Sequence, residues 1–392
     1  MTDNSTIPSK SIVSITVFTV LSLTLYILIG YFTPRTNTFP LLSYWSILFV
    51  AYFYIISKQT TTRQLSLLIF AGIVFRCSFL WSIPALSDDY YRFIWDGQVW
   101  ASGINPFGYL PSELSTHTTF VNEHSIELFN GLNSRYYYSV YPPIMQYIFR
   151  LAAIVSPNSI LGSVIALRSI ILLSEIGTLL LIKRLLRHWN LNPTLILIYV
   201  LNPLVIIELT GNLHFEAVVI FFLLWSVYLL NKNKLLTSAF VLALSICTKM
   251  IPLLFLPLLI KKLSLKKFTI YTLVTLATSV LLFFPFIDEQ LLSNLGTSIA
   301  LYFRHFEFNA SIFYLIREIG YITQGYDVIQ TAGAALPIIF VAIYLFVIIK
   351  NKVANTHRFA ELSLLILFLY HSLALVVHPW YLSTLVVLSL FT

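Results

Sequence analysis

The sequence predicts an all-α fold, a polytopic transmembrane helix bundle, and three observations carry that expectation. Of 392 residues, 58% are hydrophobic and only 10% charged, with a mean hydropathy of +0.84, a surface no water-soluble chain of this size tolerates. Several apolar runs approach the roughly 20 residues needed to cross hydrocarbon. Stretches of alternating polarity are missing, so the backbone must satisfy itself within helices rather than around a closed barrel.

In chain order, the first run covers residues 12–32. It follows Lys10, exceeds a signal-peptide core in length and has no small-residue cleavage site, which makes it an uncleaved span. Spans are expected next at 42–57 and 65–81, separated by a linker with Lys58 and Arg63. A long polar and aromatic segment, 87–141, interrupts the pattern. Spans resume at 160–182, 193–209, 215–230, 268–286, 331–349 and 359–377, with a second polar loop at 287–330. The whole chain reads as one transmembrane domain. It stops shortly after His378, too soon for another full span, so the expectation is a fragment or a terminal half-helix.

Residues 235–260 are long enough for one span but contain Lys249, Pro252 and Pro257. Proline removes a backbone hydrogen bond and bends a helix, which favours two half-helices in a hairpin. Charge decides between the readings. The clusters at Lys58 and Arg63, at Lys183, Arg184 and Arg187, at Lys232 and Lys234, at Lys261 to Lys267, and at Lys350 to Arg358 share one side only if this stretch returns to where it began. The resulting topology, in a plasma (inner) membrane, leaves the amino terminus in the cytoplasm and both long loops outside.

The same clustering accounts for the net charge of +8. Basic residues alternate with apolar runs instead of lining one surface, so topology explains them and a nucleic-acid partner does not. Cys77 and Cys247 are far apart, both in apolar stretches, and support neither a disulfide framework nor a thiolate metal site. No Walker-type or dinucleotide fingerprint occurs.

The densest polar cluster is Asp88-Asp89-Tyr90-Tyr91-Arg92-Phe93-Ile94-Trp95-Asp96-Gly97. At roughly 100° per residue, Asp88, Asp89, Arg92 and Asp96 fall within an arc of about 100° on one helix. Such a helix is expected along the membrane interface, its carboxylates converging. Neighbouring like charge would keep one carboxylate basic enough to take a proton from a hydroxyl. The competing reading is an interfacial helix whose acids favour its amino end and pair with Arg92, and pattern alone weighs the two equally.

Farther on come Gly103-Ile104-Asn105-Pro106-Phe107 and Tyr141-Pro142-Pro143. Tyr141 and its neighbouring tyrosines present flat faces with a hydroxyl edge, suited to sugar rings or lipid headgroups, although an aromatic belt looks similar. His214, Glu216, Lys249, Arg304, His305, Glu307 and His378 fall on the same expected side. Each alone reads as a snorkelling or capping residue; together they mix cations and histidines as a phosphate site would. The histidines show no metal-ligand spacing. Arg76, Arg150, Arg168 and Glu175 read as pairs within the bundle.

The Asp88 to Gly97 segment, followed by Gly103-Ile104-Asn105-Pro106-Phe107 and Tyr141-Pro142-Pro143, resembles the first outer loop of bacterial GT-C mannosyltransferases. The similarity continues more weakly through His214-Phe215-Glu216, Thr248-Lys249, Phe308-Asn309-Ala310-Ser311 and His378-Pro379-Trp380-Tyr381. It implies a membrane glycosyltransferase that moves a hexose, mannose first, from a polyprenyl-phosphate donor to a glycolipid or glycan acceptor, with inversion. It further implies that Asp88 or Asp89 is the base; the chemistry of the side chains makes Arg92, Asp96, Tyr141, His214, Glu216, Lys249, Arg304, His305 and His378 the expected substrate-binding residues. The resemblance implies no cofactor, while leaving open a divalent metal held by Asp88 and Asp89. The alternatives are a lipid or glycan flippase, a polymerase or ligase using a diphosphate carrier, and a non-catalytic relative of the same family.

Overall fold

The computed structural model describes the backbone of residues 9–116, 122–304 and 306–392, and the side chains of these except 9–11, 299 and 301–304. It is all-α. Among the described residues the only extended pairing is a single parallel bridge between Phe308 and Val376. The chain opens with α1 (Ser9–Tyr31), α2 (Thr38–Ile56) and α3 (Thr62–Cys77). Thr61 and Gln64 form a reciprocal capping box that starts α3. The first long loop holds α4 (Asp89–Ala101), α5 (Pro111–Leu114) and α6 (Glu123–Gly131), and leads through Pro142 and Pro143 into α7 (Pro143–Val155) and the long α8 (Ile160–His188).

Helices α9 (Ile196–Val200) and α10 (Pro203–Val205) follow, the latter running into a π-helical turn, Ile206–Gly211. Then come α11 (Glu216–Asn231), α12 (Leu235–Ile246), a 3-10 segment (Ile251–Lys261) and α13 (Leu265–Phe283). The remaining helices are α14 (Leu291–Arg304), α15 (Ser311–Gln324), α16 (Ile329–Lys350), α17 (Thr356–Leu373) and α18 (Leu382–Ser389).

Among the described residues, five helices are long and apolar enough to cross a membrane: Ile12–Tyr31, Thr38–Ile56, Ile160–His188, Leu265–Phe286 and Ile329–Lys350. The expected span at 193–209 is broken instead, its halves Pro193–Val200 and Pro203–Gly211 meeting at 50°. Pro203 lacks an amide proton, so the helix restarts there under the Asn202 cap. The spans read at 65–81 and 215–230 are helices of 16 residues each. Both end where polar groups must be delivered, α3 before the Ser87 to Asp89 corner and α11 beginning at Glu216.

The hairpin expected around Lys249 is present. In α13, Tyr271 meets Ser238, the Thr275 hydroxyl donates to the Ala239 carbonyl, and Ser279 reaches Cys247. Helices α12 and α13 therefore run parallel, and the 3-10 segment between them must return. Lys249 sits at its tip. Nearby, the Ile144 amide donates to the Cys247 carbonyl at 2.9 Å, which fixes the entrance of α7 at the same end.

The bundle thus has two chemically different ends. At one, Thr356 bonds Asn231, Trp189 packs edge-on against Phe391, and Arg358 reaches Asn351, amid the basic clusters at 183–187, 232–234 and 350–358. At the other lie the long loops. Between them Arg76 pairs with Glu175 at 2.6 Å, and the Tyr199 hydroxyl donates to the same carboxylate. Arg168 finds no acid; its guanidinium donates to the carbonyls of Thr210, Gly211, Leu80 and Ser82. That arrangement ties the π turn to the corner after α3, since buried backbone acceptors need donors.

Candidate active site

Asp88 and Asp89 stand together at the start of α4 and part immediately. Asp88 turns outward, 2.6 Å from Arg35, with a third of its side chain exposed. Asp89 turns inward. Its Oδ1 accepts from Asn133 at 3.2 Å, and its Oδ2 lies 3.8 Å from Nε2 of His214, an ion-pair separation longer than a hydrogen bond.

His214 reaches that position by unusual backbone. The π-helical turn Ile206–Gly211 precedes it, and Leu213, fully buried, adopts φ +63°. A leucine in this left-handed region costs on the order of 1–3 kcal/mol and persists only where its surroundings impose it. The result folds the imidazole back over the turn. Its Nδ1 donates to the Glu208 carbonyl at 2.9 Å and lies 3.3 Å from the Glu208 carboxylate. Since a carbonyl only accepts, Nδ1 carries the proton and Nε2 faces Asp89.

The ring face of His214 stacks on Trp380 with centroids 3.5 Å apart. Trp380 is also parallel to His378 at 4.4 Å, and His378 lies against Phe308 at 4.9 Å. The Phe308 amide donates to the Leu375 carbonyl, and the Phe308 carbonyl accepts from Val377. That bridge holds the segment before His378 against the second outer loop. Lys249 pairs with Glu216 and sits 3.9 Å above the Tyr381 ring. Glu216, Lys249, His371, Tyr381 and Thr384 line a small cavity of ≈ 10 Å³ together with the apolar Phe255 and Leu367.

A family profile described as alpha-(1->6)-mannopyranosyltransferase, N-terminal domain, matches residues 14–263. The chain belongs to this family. It is a mannosyltransferase, and so a glycosyltransferase enzyme. No curated protein matches the chain. The matched region supplies Asp89, Glu208, His214, Glu216 and Lys249, while Phe308, His378 and Trp380 arrive from residues beyond it.

Charge in this candidate site is distributed unequally. Burial works against a charged His214, but the carboxylates of Asp89 and Glu208 outweigh it and raise the imidazole to about 9. Burial likewise works against ionised Asp89, yet His214, Asn133 and His378 hold its carboxyl below the usual range. His378 goes the other way. Burial, with Lys249 adding to it, pushes it down to about 4, so it is neutral near pH 7. His378 feels Lys249, Asp89, His214 and Glu216 together, and these groups occupy one electrostatic neighbourhood.

Other residues read from the sequence lie elsewhere. Arg92 and Asp96 form a buried ion pair at 2.7 Å. Arg92 donates to the carbonyls of Ser134 and Tyr137, while Asp96 accepts from Ser139 and Gln146. The pair pins the 134–139 loop to α4. The four-residue arc on α4 therefore does not converge, because the helix is buried among the loops rather than lying free on an interface. Tyr141 packs edge-on against Phe93 and Phe149. The Arg304 side chain and His305 lie outside the described residues. Asn105 of the Gly103 to Phe107 motif donates to Asp288 and to the Phe286 carbonyl, joining the two long loops.

Sequence reasoning passed over Glu208, which is 6% exposed. The signal was present as a lone acid inside the apolar run 203–209, and such residues mark functional sites in membrane segments. Asn133 and Arg35, which separate the roles of the two aspartates, carry no comparable mark.

Proposed function

We propose that the enzyme transfers mannose from a polyprenyl-phosphate donor to a hydroxyl of a glycolipid or glycan acceptor, forming an α1,6 linkage with inversion at the donor carbon. Asp89 is the base. The observation that carries this reading is the inward Asp89 carboxylate beside His214, with Asn133 orienting its other oxygen. The acceptor hydroxyl gives its proton to Asp89 as its oxygen bonds the anomeric carbon, and the bond to the phosphate oxygen breaks on the opposite face. His214, charged near pH 7, cannot take that proton. It serves instead as a fixed positive charge.

A phosphate leaves as an anion already, so it needs cations rather than a proton donor. Lys249 and His214 supply them, His378 offers a neutral ring for hydrogen bonding, and no cofactor is required. The prenyl chain of the donor stays in lipid. The exposed Phe308 offers a flat ring to sugars. Basic clusters at the far end support a cytoplasmic amino terminus and a site on the outer face of the inner membrane. Residues 1–392 act as one unit, since His378 and Trp380 complete the site begun by α4.

The test incubates membranes containing the enzyme with radiolabelled polyprenyl-phosphate mannose. The expected result is transfer of label to lipid or glycan, lost by about 100-fold or more in Asp89→Asn. Asp88→Asn, which removes only a pair with the exposed Arg35, keeps transfer within about threefold. Wild-type rates in Asp89→Asn would remove the assigned base.

A further inference from the structure

Glu208 is a buried acid that the transfer reaction does not itself touch. Its carbonyl and its carboxylate both face Nδ1 of His214, at 2.9 and 3.3 Å. In an α-helix, residues six apart point to different faces; here the π turn and the left-handed Leu213 bring them together. Asn212 donates to that same carboxylate oxygen, Oε2, at 3.3 Å. Across the ring, Nε2 is buried without a hydrogen-bond partner and directed toward Asp89. One imidazole thus stands between two carboxylates, held flat by Trp380.

We propose that Glu208 is a positioning residue, which fixes the orientation and positive charge of His214 so that the ring holds Asp89 ionised and aimed at the acceptor. The assignment rests on Asp89 being the base. A buried carboxylate without a cation is costly, so Glu208 and His214 depend on one another. π-Helical turns recur at functional sites because they re-aim a side chain that a regular helix would turn away. The titratable groups around the ring are Asp89 on α4, Glu208 on the turn and His378 on the last loop, with Lys249 and Glu216 beyond His378. Replacing Glu208 leaves Asp89 as the ring's one adjacent anion, and the imidazolium then deprotonates at lower pH.

Two measurements on the full-length enzyme in detergent test this. In the transfer assay, Glu208→Gln lowers kcat by about tenfold or more, with donor KM within about threefold, and moves the alkaline limb of the pH profile downward. The same change adds little in a His214→Gln background, because the acid acts through that ring. The second measurement needs no activity. Charged imidazole quenches a stacked indole, so Trp380 fluorescence, taken as the difference from Trp380→Phe, has a midpoint near about 9 that falls in Glu208→Gln. An unmoved midpoint together with a wild-type pH profile overturns the assignment. If Asp89→Asn retains transfer, the base is wrong, while the fluorescence still reports whether Glu208 governs His214.

Discussion

At the scale of single residues, the site works by dividing two adjacent aspartates between different environments. Asp88 keeps company with an exposed arginine, and Asp89 with a buried imidazole. The linkage of this arrangement to stability has a definite sign. His214 is raised from an ordinary 6.5 to about 9, so its contribution is fully present below 6.5 and disappears as pH rises through the higher value. The melting temperature in detergent should fall across that window, and His214→Gln should flatten the fall. An unchanged slope in the variant would mean that the ring is neutral in the fold. The pairing itself was not legible in the sequence. Asp88 and Asp89 are identical in type and adjacent in position, and only Arg35, Asn133 and His214, each distant along the chain, separate their roles. Asp89, His214, Glu216, Lys249 and His378 could be read as a group because charged residues near lipid face cavities. Glu208 stood out as a lone acid in an apolar run, but its approach to His214 depends on a backbone irregularity that no periodicity reveals.

At the scale of elements, α4 is the part that everything else positions. Gly97 lets it lie directly on α7: a Cβ there would meet the Phe149 carbonyl oxygen at 2.3 Å and its carbon at 2.6 Å. Backbone cannot step aside as a flexible side chain does. Gly97→Ala should therefore destabilise the protein by about 1–3 kcal/mol, read as a lower melting temperature, and should slow transfer because Asp89 rides on the same helix. Stability equal to wild type would show that the two helices separate easily. The sequence predicted α4 as a helix correctly and the convergence of its carboxylates wrongly. Periodicity reports which residues share a face, whereas burial of that face depends on the loops that fold over it. Arg92 and Asp96, a plausible surface pair from spacing alone, are instead the clasp between α4 and the 134–139 loop. The hairpin at Lys249 was legible for a better physical reason, since proline chemistry and the distribution of positive charge constrained it independently.

At the scale of the molecule, charge and chemistry occupy opposite ends of the bundle, and that polarity ties the fold to its function. Composition alone was enough for the helical bundle, because a chain this apolar has few ways to satisfy its backbone in lipid. Span lengths were less legible, since Pro203 and the left-handed Leu213 break the run at 193–215 where the site is built. The orientation of the whole follows from the basic clusters and leads to a direct prediction. With the exposed Cys77 replaced by serine, a cysteine is introduced at Gln290, exposed at the loop end, or at Asn233, exposed at the basic end. A membrane-impermeant maleimide applied to intact cells should label Gln290→Cys, and should reach Asn233→Cys only after the membrane is opened. Loops that hold Asp89 and His378 would then meet their donor on the outer leaflet, where a lipid-linked mannose must already have been delivered. The reverse pattern would put the site in the cytoplasm and leave the basic clusters without their topological explanation.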